Sequence, residues 1–176
     1  EGYTATADNA LYDVDKDFTF SGNAKAVRTD AGTTNMGLAA DQFVNTNTNF
    51  STVTFNVTDG FQTIRPIDGV KVTIVGKNNT TDYDGADHTV NGYTATSSNP
   101  LYTEADFTFS GEATATRKNV GTTGMGLSAD QFENTNDNFT NVTFEITDGF
   151  QTIEPIDVTV TVVGNNNTAV YDAKDH

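Results

Sequence analysis

The chain contains no cysteine. Disulfide frameworks, thiolate zinc sites, cysteine nucleophiles and thioesters are therefore excluded, and stability has to come from packing and repetition. Basic residues are also few: 9 Lys and Arg face 24 Asp and Glu, for a formal charge of −15 over 176 residues. Nucleic acids and anionic membranes are bound through clustered Lys and Arg, so neither is expected as a partner, and the acidic excess reads as solubility. No apolar run approaches the ~20 residues of a membrane-spanning helix, so no membrane insertion is expected. Leucine is scarce and long helical periodicity is missing.

What is present points to strands. The 12 Phe and 6 Tyr, with Val, Ile and Thr, suit a pleated, half-buried surface, and short segments alternate apolar with polar positions. The chain is also duplicated. Asp17 to Gly22 reads DFTFSG and returns at Asp106 to Gly111, GTTNMGL at Gly32 returns as GTTGMGL at Gly121, and TDGFQTI at Thr58 returns at Thr147. Two-fold duplication predicts small units of about 90 residues. Phased on it, residues 1–66 form a first unit lacking its opening strands and residues 67–157 a complete second unit. Residues 158–176 are then the opening segment of a following unit, or a donor strand.

Within each copy, FTF (18–20 and 107–109) marks a strand that the pattern extends through Ala24, Ala26 and Arg28. The ADQF segments (40–43 and 129–132) suit one helical turn capped by Ser128 in the second copy. NTNTNF and NTNDNF (45–50 and 134–139) suit loops in which Asn amides replace backbone turns. VTFNV and VTFEI (53–57 and 142–146) alternate strictly. Asp59-Gly60 and Asp148-Gly149 then predict a type I′ hairpin turn into the returning strands 61–64 and 150–153. Pro66 and Pro155 end ladder pairing and, with Asp68 and Asp157, form a short, stiff structural joint. After it, residues 70–75 and 158–163 open the next unit as strands, each followed by an Asn-rich turn at 76–79 or 164–167. About seven short strands per unit with turn signals every 8 to 12 residues predict an all-β chain of tandem small, Ig-like β-sandwich repeats.

Chemistry is sparsely signalled. The two histidines, His88 and His176, occupy one repeat position, which fits a shared structural role rather than an active site, so no enzyme activity or cofactor is expected. Asp13, Asp15 and Asp17 alternate like the start of a calcium loop but lack the downstream Gly and Glu. Asp68 and Asp157 at the joint, with Asp59 and Asp148 one hairpin away, offer a better calcium reading, set against solvated carboxylates as the plainer one. No lysine recurs at an equivalent place, which excludes an isopeptide bond in both units.

Tyr83-Asp84-Gly85, His88-Thr89-Val90 and Gly92-Tyr93, with Ala31-Gly32-Thr33 in mid-unit and the apolar Val-Thr-Ile-Val strand, resemble the YDG or MBG type repeats found in tandem on bacterial cell-surface proteins and adhesins. The resemblance covers essentially the whole chain and implies a modular protein at the bacterial cell surface or secreted from it. The copies depart at Ala173, where the first has Gly85, and at Asn119-Val120 against Asp30-Ala31. Ala173 suggests that positive φ is not needed there. The expected function is a structural, non-enzymatic extracellular module of a stalk or filament, with neighbouring units or identical subunits as partners. Val158, Val160, Val162 and Val163 are the candidate donor strand for head-to-tail complementation. The alternative is an adhesin module binding host glycan or protein through the Asn-rich loops.

Overall fold

The computed structural model describes residues 2–176 and is mostly β-strand. Strands β1 (Phe18–Phe20), β2 (Gly32–Asn35), β3 (Phe43–Asn45) and β4 (Phe61–Ile64) belong to the first copy. Beyond Pro66 come β5 (Ile67–Asp68), β6 (Lys71–Gly76), β7 (Asn78–Asp82), β8 (His88–Asn91) and β9 (Tyr93–Ser97). The second copy continues with β10 (Phe107–Phe109), β11 (Thr114–Arg117), β12 (Gly121–Gly124), β13 (Phe132–Asn134), β14 (Phe139–Thr140), β15 (Thr143–Thr147) and β16 (Phe150–Glu154). The complete second unit, residues 67–157, holds twelve of these strands, more and shorter than the seven expected, and the first copy holds four. Among the described residues no helix is long and apolar enough to cross a membrane.

Two compact units emerge. One comprises the chain up to Ile74, Ala95–Ser110 and Ser128–Ile146; the other comprises Val75–Thr94, Gly111–Leu127 and Thr147–His176. In the first, antiparallel β1 and β3 pair Phe18 with Asn45 and Phe20 with Phe43, and 89 positions later β10 and β13 repeat the register, Phe107 with Asn134 and Phe109 with Phe132. Alternation puts one face of each ladder into an aromatic cluster. Phe43 stacks on Phe20 at 4.8 Å and on Phe55 at 5.7 Å, and Phe132 stacks on Phe109 at 4.7 Å and on Phe144 at 5.5 Å. One-turn 3-10 helices at Ala40–Gln42 and Ala129–Gln131 lead into β3 and β13, where they deliver Phe43 and Phe132 to these clusters. Their caps rest on glutamine: the Ala39 and Ser128 N–H groups donate to Gln42 Oε1 and Gln131 Oε1 at 3.0 and 2.9 Å. A third such turn, Glu104–Asp106, carries no apolar signal of its own.

In the second unit β12 pairs antiparallel with β16, β16 pairs parallel with β7, and β8 pairs antiparallel with β11. Its core includes Val90, Ala115, Met125, Leu127 and Ile153, with Gln151 fully buried among them. Gly121 at φ 127° leaves the space taken by the Arg117 guanidinium, which donates to Val120 O and Thr123 Oγ1. Arg28 folds over Gly32 in the same way.

Several expectations are corrected. The Asp-Gly pairs do not close hairpins: β15 lies in a sheet ordered β15-β6-β9, whereas β16 lies between β12 and β7. Asp59, Asp148, Gly60 and Gly149 all lack the positive φ that a type I′ turn requires. Residues 76–79 are not a turn either, since β6 ends at Gly76 and β7 begins at Asn78 in another sheet. Residues 53–57 and 24–28 form no strand, although their counterparts β15 and β11 do; each of those has a partner, β6 and β8 respectively, that these residues lack. Residues 158–163 also form no strand. Ala173 has φ 65°, close to the 80° of Gly85, so positive φ is kept without glycine.

Candidate functional site

The joint is built from side chains on both sides of it. Pro66 follows the end of β4 at Ile64, and β5 then pairs parallel with β14, Ile67 with Phe139 and Asp68 with Thr140. Asp68 Oδ1 accepts from Asn141 Nδ2 at 2.7 Å and Thr140 Oγ1 at 3.1 Å, with Asn141 itself at φ 52°. Asn138 adds a second clasp, donating through Nδ2 to Asp30 Oδ1 at 3.0 Å while its Oδ1 accepts from the Ala31 N–H. The shallow cavity here, about 460 Å³, is bordered by Arg28, Asp30, Asp106 and Asn136. At the second copy of the motif, Pro155 follows β16, and Asp157 is exposed.

Asp59 and Asp148 act as acceptors for a neighbouring loop. Asp148 takes the Gly126 and Leu127 N–H groups, each at 3.0 Å, and Asp59 takes those of Gly37 and Leu38 at 3.0 and 2.9 Å. Asp13 is also committed locally: it accepts from the Asp15 N–H at 3.0 Å and pairs with Lys16 at 2.6 Å, and that cation with its hydrogen bond holds the Asp13 carboxyl below its usual range. Among the described residues no three His, Asp or Glu cluster as a metal site would need.

The Asn-rich loops hold themselves. Asn47 N–H donates to Asn45 Oδ1 at 3.1 Å and Asn49 N–H to Asn47 Oδ1 at 3.0 Å; Asn136 and Asn138 repeat both contacts. Tyr12 and Tyr102 cap the loops by donating to Asn45 Oδ1 and Asn134 Oδ1, both at 3.1 Å, and burial raises both phenol pKa values.

The two histidines sit in matching turns, His88 Nε2 at 2.9 Å from Asp84 and His176 Nε2 at 2.8 Å from Asp172. The hydrogen bond from His88, followed by one from the Ala86 N–H, lowers the Asp84 pKa. A local Asp-x-x-x-His sequence is enough to make this turn, since it forms even in the exposed stretch at 172–176.

A groove of about 530 Å³ opens in the first unit among Tyr3, Met36, Leu38, Asn56 and Gly60. Residue types alone gave no sign of it. In the second copy the matching Met125 and Leu127 are buried, at 9% and 7% exposure, and Gln151 and Ile153 fall to 0% and 1%. In the first copy Met36 and Leu38 are only half-buried, Gln62 is exposed and Phe61 is 66% exposed.

The candidate donor valines lie apart from any ladder: Val158, Val160, Val162 and Val163 are 83%, 75%, 87% and 82% exposed. Their sequence counterparts Val70, Val72 and Ile74 in β6 are at 2%, 1% and 0%. The two segments match closely in sequence, VTVTVVGNNNT against VKVTIVGKNNT, so residue type does not account for the contrast.

Comparison with family models, with curated proteins and with solved structures gave no match.

Proposed function

We propose that the chain is a structural, non-enzymatic extracellular module that builds a stalk or filament from small Ig-like β-sandwich repeats of about 90 residues placed in series. The observation that carries this reading is the second appearance of the opening sequence, at 158–176 after 70–88, alongside two copies whose FTF ladders keep one register. Recurrence of the same segments in series is the sequence pattern of a repeat array. The joint supports the same reading, because the Asp30–Asn138 and Asp68–Asn141 hydrogen bonds tie the first copy and the Pro66 connection to the second copy. The acidic surface keeps such an array soluble and self-repelling. A bacterial cell-surface setting is what the resemblance to YDG and MBG type repeats implies. The Asn-rich loops favour a structural role over ligand capture, since their amides are already engaged in the loops' own turns.

Electron microscopy of the protein in its native setting tests the proposal, with contour length measured for arrays of different copy number. Length rising by a constant increment per copy is the expected result. Compact particles of fixed size, together with saturable glycan binding that is lost on substituting Asn47 and Asn136, would replace it with the adhesin reading.

A further inference from the structure

We propose that Thr81 and Gln151 join in an intramolecular ester, a covalent bond between β7 and β16 that the folded chain makes by itself with loss of ammonia. The inference does not rest on the stalk reading, since every group it uses lies within the second unit.

The parallel ladder brings the two reacting groups together. It sets Gln151 opposite Asn79 and Ile153 opposite Thr81, so these four side chains project from one face of the sheet. That face is the inner one, with Gln151 at 0% and Ile153 at 1% exposure. Across the diagonal of the ladder, Gln151 Nε2 donates to Thr81 Oγ1 at 3.5 Å. With an amide C–N bond of about 1.33 Å, the Thr81 oxygen is within about 5 Å of the Gln151 carbonyl carbon, and an approach of ~1–2 Å reaches attack distance.

The Gln151 carbonyl is already polarised. Asn79 Nδ2 donates to its Oε1 at 3.0 Å, and Thr152 O holds its Nε2 at 3.0 Å, which fixes which end of the amide is oxygen. A donor in place on that oxygen is the group that stabilises the negative charge of a tetrahedral adduct. Ordinary buried glutamines are satisfied in the same way; what Gln151 has in addition is a hydroxyl beside its carbonyl carbon.

The base is assigned to His88 by the packing of two layers. Gly121, Ile153 and Thr81 form one row across β12, β16 and β7, and the Arg117 guanidinium covers Gly121. His88 is the cross-strand neighbour of Arg117. Since β11 packs on β12 and β16 while β8 packs on β16 and β7, His88 stands at the level of that row on its Thr81 side. Its Nε2 lies 2.9 Å from Asp84 Oδ1. A proton kept on Nε2 by that carboxylate leaves Nδ1 as the acceptor.

The step balances without a co-reactant. Thr81 Oγ1 adds to Gln151 Cδ as its proton passes to His88. The adduct then collapses with cleavage of Cδ–Nε2, and His88 returns the proton to the departing nitrogen. One C–O bond replaces one C–N bond, and one ammonia leaves. Loss of ammonia to the solvent draws the reaction forward, and the absence of water around Gln151 protects the ester from hydrolysis. The bond links residues 70 apart in sequence and restricts the unfolded chain accordingly.

The test is the intact mass of the purified full chain, followed by tryptic mapping. Trypsin separates Thr81 and Gln151 into peptides 78–117 and 119–174. Expected are a mass lower than that of the sequence by one ammonia, and these two peptides recovered as one linked species that alkaline hydroxylamine splits. Thr81→Val should have the full sequence mass, separate peptides and a lower Tm. Thr81→Ser should keep the link, and His88→Gln should slow the loss of ammonia by about 100-fold. A full sequence mass in the unmodified chain overturns the proposal, as does a linked pair that persists in Thr81→Val or an ammonia loss with the two peptides separate. Unchanged kinetics in His88→Gln overturn the assignment of the base.

Discussion

Asn79 donates its side-chain amide to Gln151 across a parallel ladder at 3.0 Å, and Gln151 is completely removed from solvent. A primary amide at that depth is tolerated because its oxygen takes Asn79 and its nitrogen reaches Thr152 O at 3.0 Å. Asn79→Ala should leave the Gln151 oxygen without its donor and cost about 1–3 kcal/mol, read as a lower urea midpoint at constant slope. Asn167→Ala, the same change in the exposed stretch, should leave the midpoint of the single chain where it was.

Asp148 distinguishes the observed connection from a hairpin. A type I′ turn is favoured by Asn-Gly at least as much as by Asp-Gly, so a hairpin would accept Asp148→Asn without loss. Here both carboxylate oxygens are engaged, by the Gly126 and Leu127 N–H groups. Asn keeps one acceptor oxygen and presents an NH₂ to the other donor. Asp148→Asn should therefore cost about 1 kcal/mol, with faster amide exchange at Gly126 or Leu127 as the local readout.

The joint gives a third contrast. Asp68→Ala removes the acceptor for Thr140 and Asn141 and should destabilise by about 1 kcal/mol, while Asp157→Ala, at an exposed residue, should fall within about 0.5 kcal/mol of zero. The Asp68 variant should also speed protease cleavage near residues 66–70, which mass spectrometry of the fragments would show.

Asp106 makes the fold sensitive to acid. Its carboxylate accepts from Asn136 Nδ2 at 2.6 Å and from the Thr103 N–H at 2.7 Å, and these bonds, the Asn136 one foremost, hold its pKa below the ordinary value. The folded pKa is thus lower than that of the unfolded chain, near 3.9. The stability it contributes is present above about pH 4 and is lost as pH falls through the folded value. Thermal melts between pH 7 and pH 2 should show the unmodified chain losing Tm in that window. Asp106→Asn should start lower and fall less.

The all-β character was legible without the structure, because it rests on local chemistry. Alternating Phe18 and Phe20 can hide only one face of a strand, and β1 forms there. The Asn turns and the Asp84 to His88 loop need only a few adjacent residues, so they form in both places where the sequence occurs. Partner choice was not legible in the same way. Asp148-Gly149 has the letters of a hairpin, yet β15 and β16 pair with strands more than 20 residues away or on the far side of the copy. Nor could the groove be seen from residue types, since Met36 and Met125 sit in the same motif.

What the sequence determined by itself is a duplicated β-chain whose opening segment, first met at Val70, returns at Val158, because spacing and alternation are properties of the string alone. What only the tertiary structure decided is which copies become strands. VTFEI is a strand and VTFNV is not, and Val72 is buried while Val160 is 75% exposed. A strand's hydrogen bonds and its apolar face are satisfied by a neighbouring backbone, so closely matching segments take different states according to whether that neighbour is there.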